Sequence, residues 1–411
     1  MRKLVIGLFI SILIFFALSC HNSFKKDQNK ILSETIEMDV NAIDSLQNDL
    51  MVLQNKNVLP GFVTAIFTKD TILFNHGFGF ADLKEKKPYT PEHVQIIASV
   101  SKTLIGIALM RTVEDSLVGL DDDINTYLPF QVKNPYFPES VITLRQLATH
   151  TSSIGSTENS DEGYRFENPL RKEDFPEAYT PILHKFNHTE PLSLQEFLEN
   201  KLTIHGKWYE KSVFLNERPG ANYEYSNLGA TLLAYIIETV TKTPYHEYTQ
   251  KNILDPLRMN HSTWDLETAK TWNHVTYYNE LKNELPKYSI ISYPDGGLYS
   301  NTNDLINYTQ EMMKGYEGES SLLSKASFNE MMSKQSKLMD MPDGLCWDLS
   351  FPCCIGHAGN DFGTNVLLYF SPENGIGKIL MTNMSIGDEL QDETFYEIFN
   401  TLFKYHLLKS N

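Results

Sequence analysis

Two stretches dense in β-branched and aromatic residues lie near opposite ends of this 411-residue chain. Near the beginning, Phe62-Val63-Thr64-Ala65-Ile66-Phe67 and Thr71-Ile72-Leu73-Phe74 flank Thr68-Lys69-Asp70, a hairpin signal, and residues 77–82 extend the pattern. Near the end, Asn365–Phe370 and Lys378–Asn383 flank a turn at residues 371–375. Between them, residues 99–310 read mostly as helix with long loops. A lone hairpin is at best marginal in water, so the two pairs are expected to join. The expected fold is therefore α/β (α+β): an antiparallel sheet flanked by helices, built from N- and C-terminal segments, with an inserted all-helical subdomain. Its boundaries are residues 37–408 for the whole domain, 37–110 and 290–408 for the α/β part, and about 111–289 for the insertion. Apolar spacing predicts helices over 38–56, 99–114, 143–149, 193–200, 226–242, 303–314 and 387–408. Residues 152–192 are polar and read as a long surface excursion.

Composition narrows the class. Hydrophobic residues make up 41% and aromatics 12%, enough to build a large core and too much for a mainly disordered chain. The formal net charge of −17 repels phosphate backbones, so nucleic acid is not an expected partner. Met1-Arg2-Lys3, an apolar run over residues 4–18, and Ser19-Cys20 follow the order of a secretory signal. The apolar run is shorter than the roughly 20 residues of a spanning helix, although a short membrane anchor is the alternative. Ala17-Leu18-Ser19-Cys20 resembles a bacterial lipobox, with Ala where Leu is preferred. That implies a signal over 1–19, a lipid on Cys20, a tether over 20–36, and a protein exported to the bacterial cell envelope and held at its membrane. Cys346, Cys353 and Cys354 leave open a disulfide from Cys346 to one of the pair or a set of unpaired thiols.

Three short motifs carry chemistry. Ser99-Val100-Ser101-Lys102 opens a predicted helix, and a spacing of three puts Ser99 and Lys102 on one face. A serine hydroxyl attacks only when something removes its proton. Tyr225-Ser226-Asn227 sits at the entry to an apolar helix, where Ser226 or Asn227 can cap the helix. Tyr225 is the candidate proton acceptor, and Asn227 can donate its amide N–H to a substrate carbonyl. Gly356-His357-Ala358-Gly359-Asn360 stands just before a strand. Its glycines permit close backbone approach, and an N–H there can complete an oxyanion hole with that of Ser99.

In order and spacing, Ser-x-x-Lys, Tyr-x-Asn and His-x-Gly resemble the serine β-lactamase family. The resemblance is to the branch holding class C β-lactamases, penicillin-binding D-Ala-D-Ala carboxypeptidases, D-aminopeptidases and related esterases. Residues 142–152, ending in His150-Thr151-Ser152, residues 120–129, and Asp295-Gly296-Gly297-Leu298-Tyr299-Ser300 resemble further family segments. The resemblance implies that Ser99 becomes acylated and that Lys102 and Tyr225 share the proton work. It implies too that Asn227 orients substrate and Lys102, that the N–H groups of Ser99 and Asn360 hold the oxyanion, and that His357 and Gly359 line the substrate strand.

His357-Ala358-Gly359 stands where class C β-lactamases have Lys-Thr-Gly. Losing one charged and one neutral hydrogen bond weakens carboxylate binding by about 2–4 kcal/mol. The implied activity is thus an esterase or D-peptidase rather than an efficient β-lactamase, on a small-molecule or peptide substrate. No cofactor is implied, and no metal-ligand spacing such as His-Glu-x-x-His is present. A catalytically silent penicillin- or peptidoglycan-peptide-binding lipoprotein on the same fold is the rival reading.

Overall fold

Strand β1 (Gly61–Phe67) is where the two ends of the chain meet. It pairs antiparallel on one side with β2 (Ile72–Asp82) and on the other with β6 (Ile376–Thr382), in the register Phe62 to Thr382. With β3 (Lys87–Pro88), β4 (Ile355–Asp361) and β5 (Thr364–Ser371), they form one six-stranded sheet in the order β4-β5-β6-β1-β2-β3. Every pairing is antiparallel. All seven residues of β1 are buried, which explains its unbroken apolar run: both faces of this central strand are covered.

This computed structural model describes residues 38–155, 163–175, 183, 191–335, 343–351 and 353–409. The signal over 1–19, Cys20, the whole tether over 20–36, residue 37, and much of the 152–192 excursion lie outside the described residues. Val40–Leu407 form the main compact unit. In the small second unit, Met38 and Leu408 make an antiparallel bridge.

Helices α1 (Val40–Asn55) and α5 (Glu389–Lys404) pack together, and α4 (Thr302–Glu317) lies against β1, β5 and β6. Their boundaries have local causes. Asn301 caps α4 by accepting the Asp304 N–H at 2.9 Å, and Asp388 caps α5 by accepting that of Gln391 at 2.9 Å. The middle of the chain supplies α2 (Lys102–Glu114) and α3 (Asn227–Thr241), which pack on each other. Their apolar faces merge with the sheet into one core around Trp347, Tyr308 and Phe328. The middle is mainly helical, with small two-stranded ladders added: Tyr164–Phe166 with Tyr288–Ile290, and Tyr277–Tyr278 with Glu284–Leu285.

The cysteines differ from the expected choices. Cys353 and Cys354 are joined to each other, and Cys346 is a buried free thiol. The backbone N–H of Cys346 is held by the Ala148 carbonyl, and burial pushes its thiol up to about 12.

Candidate active site

The first piece of the site is a single 3-10 turn, Ala98–Ser101, that leads into α2. Ala98 has φ of 48°, a left-handed conformation that costs energy in a residue with a Cβ. Ser99 is half-buried, and Lys102 is fully buried. Lys102 Nζ donates to Ser99 Oγ at 3.0 Å and to the Asp295 carbonyl at 2.5 Å. The three-residue spacing thus brings the two side chains together as expected. Asp295 ends a short turn over Tyr293–Asp295, and its Oδ2 accepts the Thr231 hydroxyl at 2.8 Å, which ties that turn to α3. Burial pushes the Asp295 carboxyl above its usual range, while the Lys102 ammonium pulls it the other way.

Tyr225 and Asn227 come from the entry to α3. Ser226 is the cap: its Oγ accepts the Gly229 N–H at 2.9 Å. The Ser226 N–H in turn donates to His150 Nδ1 at 3.1 Å. Because Nδ1 accepts, the proton of a neutral His150 resides on Nε2. Burial, reinforced by Lys102 and His357, pushes the His150 imidazole down to about 3. Its ring packs on Tyr225 at a centroid distance of 4.4 Å, and Lys102 Nζ lies 5.1 Å from the Tyr225 ring centre. Asn227 Oδ1 is buried and has no hydrogen-bond partner among the described residues. The unmet atom is an acceptor. Oδ1 therefore lacks a donor such as a substrate N–H, and the Asn227 amide N–H can still donate to a substrate carbonyl.

The third piece is β4. The sequence places His357-Ala358-Gly359 just before a strand; the structure places it inside one, at the free edge of the main sheet. Gly356 exchanges N–H and C=O bonds with Asp348 at 2.8 and 3.0 Å, on the side away from β5. Backbone groups alternate sides along a strand, so the N–H and C=O of Ala358 and Asn360 also point away from β5. The Asn360 side chain is occupied elsewhere, donating to Asn365 Oδ1 at 2.7 Å. A Cβ on Gly359 would lie 2.4 Å from the Ile97 carbonyl oxygen and 3.1 Å from the Ser99 nitrogen, so β4 crosses directly against the serine turn and only glycine fits there. His357 is buried, and its ring centroid is 6.4 Å from that of Tyr225. Burial and then Lys102 push its imidazole down to about 4. Its Nδ1 is 2.5 Å from the Ala358 carbonyl oxygen and donates to it, which leaves Nε2 as an acceptor.

Ser99, Lys102, Tyr225, Asn227, His357, Gly359 and Asn360 thus belong to one corner of the molecule. Three further residues join them. Asp295 supplies a carbonyl to Lys102, His150 supports Tyr225, and Asp361 follows Asn360 on β4. Asp295 and His150 lie in segments that the sequence marks, but nothing there signals that a backbone carbonyl or a ring-packing imidazole is what matters.

Comparison with known proteins bears on the fold and the family. A family model described as Beta-lactamase matches residues 44–403. Protein flp of Staphylococcus aureus (strain N315) is 24% identical over 279 residues, which cover 67% of this chain and 49% of that one. The human serine beta-lactamase-like protein LACTB, mitochondrial, is 27% identical over 315 residues, covering 67% and 57%. The chain spans about half the length of the curated relatives it matches. Among solved structures, the octameric penicillin-binding protein homologue from Pyrococcus abyssi is alike with a TM-score of 0.69 at 23% identity, over 88% of this chain and 77% of that one. At that identity the likeness is one of fold.

Proposed function

The chain belongs to the beta-lactamase family, and we propose that it is a serine hydrolase that cleaves an ester, amide or D-amino-acid peptide bond through an acyl-enzyme on Ser99. The observation that carries this reading is the shared ammonium: Lys102 Nζ lies 3.0 Å from Ser99 Oγ and 5.1 Å from the Tyr225 ring centre.

An ammonium donates hydrogen bonds and cannot accept them. The Ser99 proton therefore passes to Tyr225, which enters the step as the phenolate beside Lys102, as Oγ bonds to the substrate carbonyl carbon. Negative charge moves onto the carbonyl oxygen, between the N–H groups of Ser99 and Asn360. When the intermediate collapses, the bond to the leaving group breaks and that group takes the proton from Tyr225. Water then attacks the acyl ester and gives its proton to Tyr225, which passes it to the departing Ser99 Oγ as the acid is released. Asn227 Oδ1 accepts an N–H of the substrate.

Neutral His357 and apolar Ala358 give a substrate carboxylate neither charge nor hydroxyl, which favours esters and D-amino-acid peptides over β-lactams. The N-terminal sequence supports a further reading, that the protein is exported to a bacterial cell envelope and held there by a lipid on Cys20. Cys20→Ser then abolishes membrane partition; unchanged partition contradicts it.

The test of the activity is a screen of p-nitrophenyl esters, D-aminoacyl anilides and nitrocefin. Turnover of an ester or anilide that Ser99→Ala abolishes is the expected result. Folded protein that turns over none of them supports the silent binding lipoprotein instead.

A further inference from the structure

Asp361 closes strand β4, one residue beyond the Asn360 N–H. We propose that Asp361 selects substrates whose acyl group carries a positive charge, an ammonium two to four atoms from the scissile carbonyl. This inference rests on the serine hydrolase reading and names its substrate class.

Position is the first argument. The side chains of His357, Gly359 and Asp361 share one face of the strand. Gly359 is pressed against the Ser99 turn, so Asp361 is one side-chain repeat further on, about 7 Å along the strand. The proton leaves Tyr225 for the leaving group, which therefore lies toward Tyr225 and His357. The acyl group runs the other way along β4, toward Asp361.

The second argument is how the carboxylate is held. Its Oδ1 accepts the Tyr164 hydroxyl at 2.7 Å and the Phe362 N–H at 2.8 Å. Among the described residues no hydrogen bond is made to Oδ2, and no ion pair neutralises the group. Aromatic rings stand around it: Tyr164 is edge-on to Phe362 at 5.3 Å and lies 5.7 Å from Tyr288. A carboxylate among aromatic faces attracts organic cations. The strongest cationic influence on Asp361 is Lys102, which is already engaged by Ser99 and Asp295. Burial pushes the Asp361 carboxyl up to about 6, which leaves it mostly ionised at neutral pH. A cationic group is thus drawn to this end of the strand, and an anionic one is repelled.

The probes are the p-nitrophenyl esters of trimethylammoniobutanoic acid, of its uncharged carbon isostere dimethylhexanoic acid, and of glutaric acid. The expected order of kcat/KM is cationic, neutral, anionic, with the cationic ester ahead of the neutral one by about 10-fold or more. In Asp361→Asn, which can keep the Tyr164 bond, the cationic-to-neutral ratio falls to within about 3-fold of one. A wild-type ratio near one, or a ratio that survives Asp361→Asn, overturns the inference; the wild-type ratio decides even where the variant fails to fold. Calorimetric titration of Ser99→Ala with the same esters separates the two readings. Preferential binding of the cationic ester by that variant, with no turnover by the wild type, overturns the hydrolase reading and keeps the cation site. Turnover without preference does the reverse. No measurable binding of the cationic ester to Ser99→Ala overturns the cation site.

Discussion

The two walls of the site are built differently. The helical wall, buried Lys102 and His150 with half-buried Tyr225, is charged and closely tied: a fully buried ammonium touches the serine hydroxyl, a carbonyl and an aromatic face. The strand wall, His357 to Asp361, is a sheet edge on which the N–H groups of Ala358 and Asn360 point away from β5 and burial holds His357 neutral. The difference assigns the work. The helical wall moves the proton, and the strand wall holds the oxyanion and decides what binds. Changes on the first side should cost rate on every substrate, and changes on the second should reorder substrates.

The largest expected effect is on the helical wall. Lys102→Met should lower kcat/KM on any accepted ester by about 10³-fold or more, because it removes the group that Ser99 and Tyr225 share. Tyr225→Phe should lower acylation about 10²-fold or more with the melting temperature little changed. Single-turnover kinetics checks both, and a near-unchanged rate removes that residue from the mechanism. On the strand wall, the double change His357→Lys with Ala358→Thr should raise kcat/KM for carboxylate-bearing nitrocefin by about 10-fold relative to a neutral ester. If both substrates respond alike, the division between the walls fails.

The smallest effect is on stability. The folded-state pKa of His357, about 4, lies below its ordinary 6.5. As pH falls below 6.5 the unfolded chain takes up this proton first. The stability tied to the neutral ring is thus complete above 6.5 and is lost as pH falls toward 4. His357→Asn should flatten the parent's acid-side slope between these values by up to about 1.4 kcal/mol per pH unit. Asp343 and Asp361, raised to about 7 and about 6, act in the opposite direction. Both are present in parent and variant, so the difference between their melting curves reads His357 together with its influence on His150.

Strands β1, β5 and β6 are legible because each buries an apolar run, and β2, only partly buried, because a marked hairpin turn joins it to β1. Strand β4 is not. Gly356-His357-Ala358-Gly359-Asn360 holds no β-branched residue, and it is extended because β5 pairs with it from Ile355 to Asp361. The ladder of Tyr164–Phe166 with Tyr288–Ile290 is too short to show a period. In the site, Ser99 and Lys102 are legible because one helical turn suffices to join them. The Asp295 carbonyl is not, since every residue has a carbonyl and only the fold selects this one for Lys102. Asp361 is equally silent in sequence, because its meaning depends on facing the same way as Gly359.

The central claim is that Ser99 is the one hydroxyl this corner makes nucleophilic. Intact-mass analysis after exposure to a fluorophosphonate, followed by peptide mapping, tests it directly. The account predicts a single adduct on the peptide that contains Ser99, absent in Ser99→Ala. An adduct on another residue, or one that persists in Ser99→Ala, would contradict it.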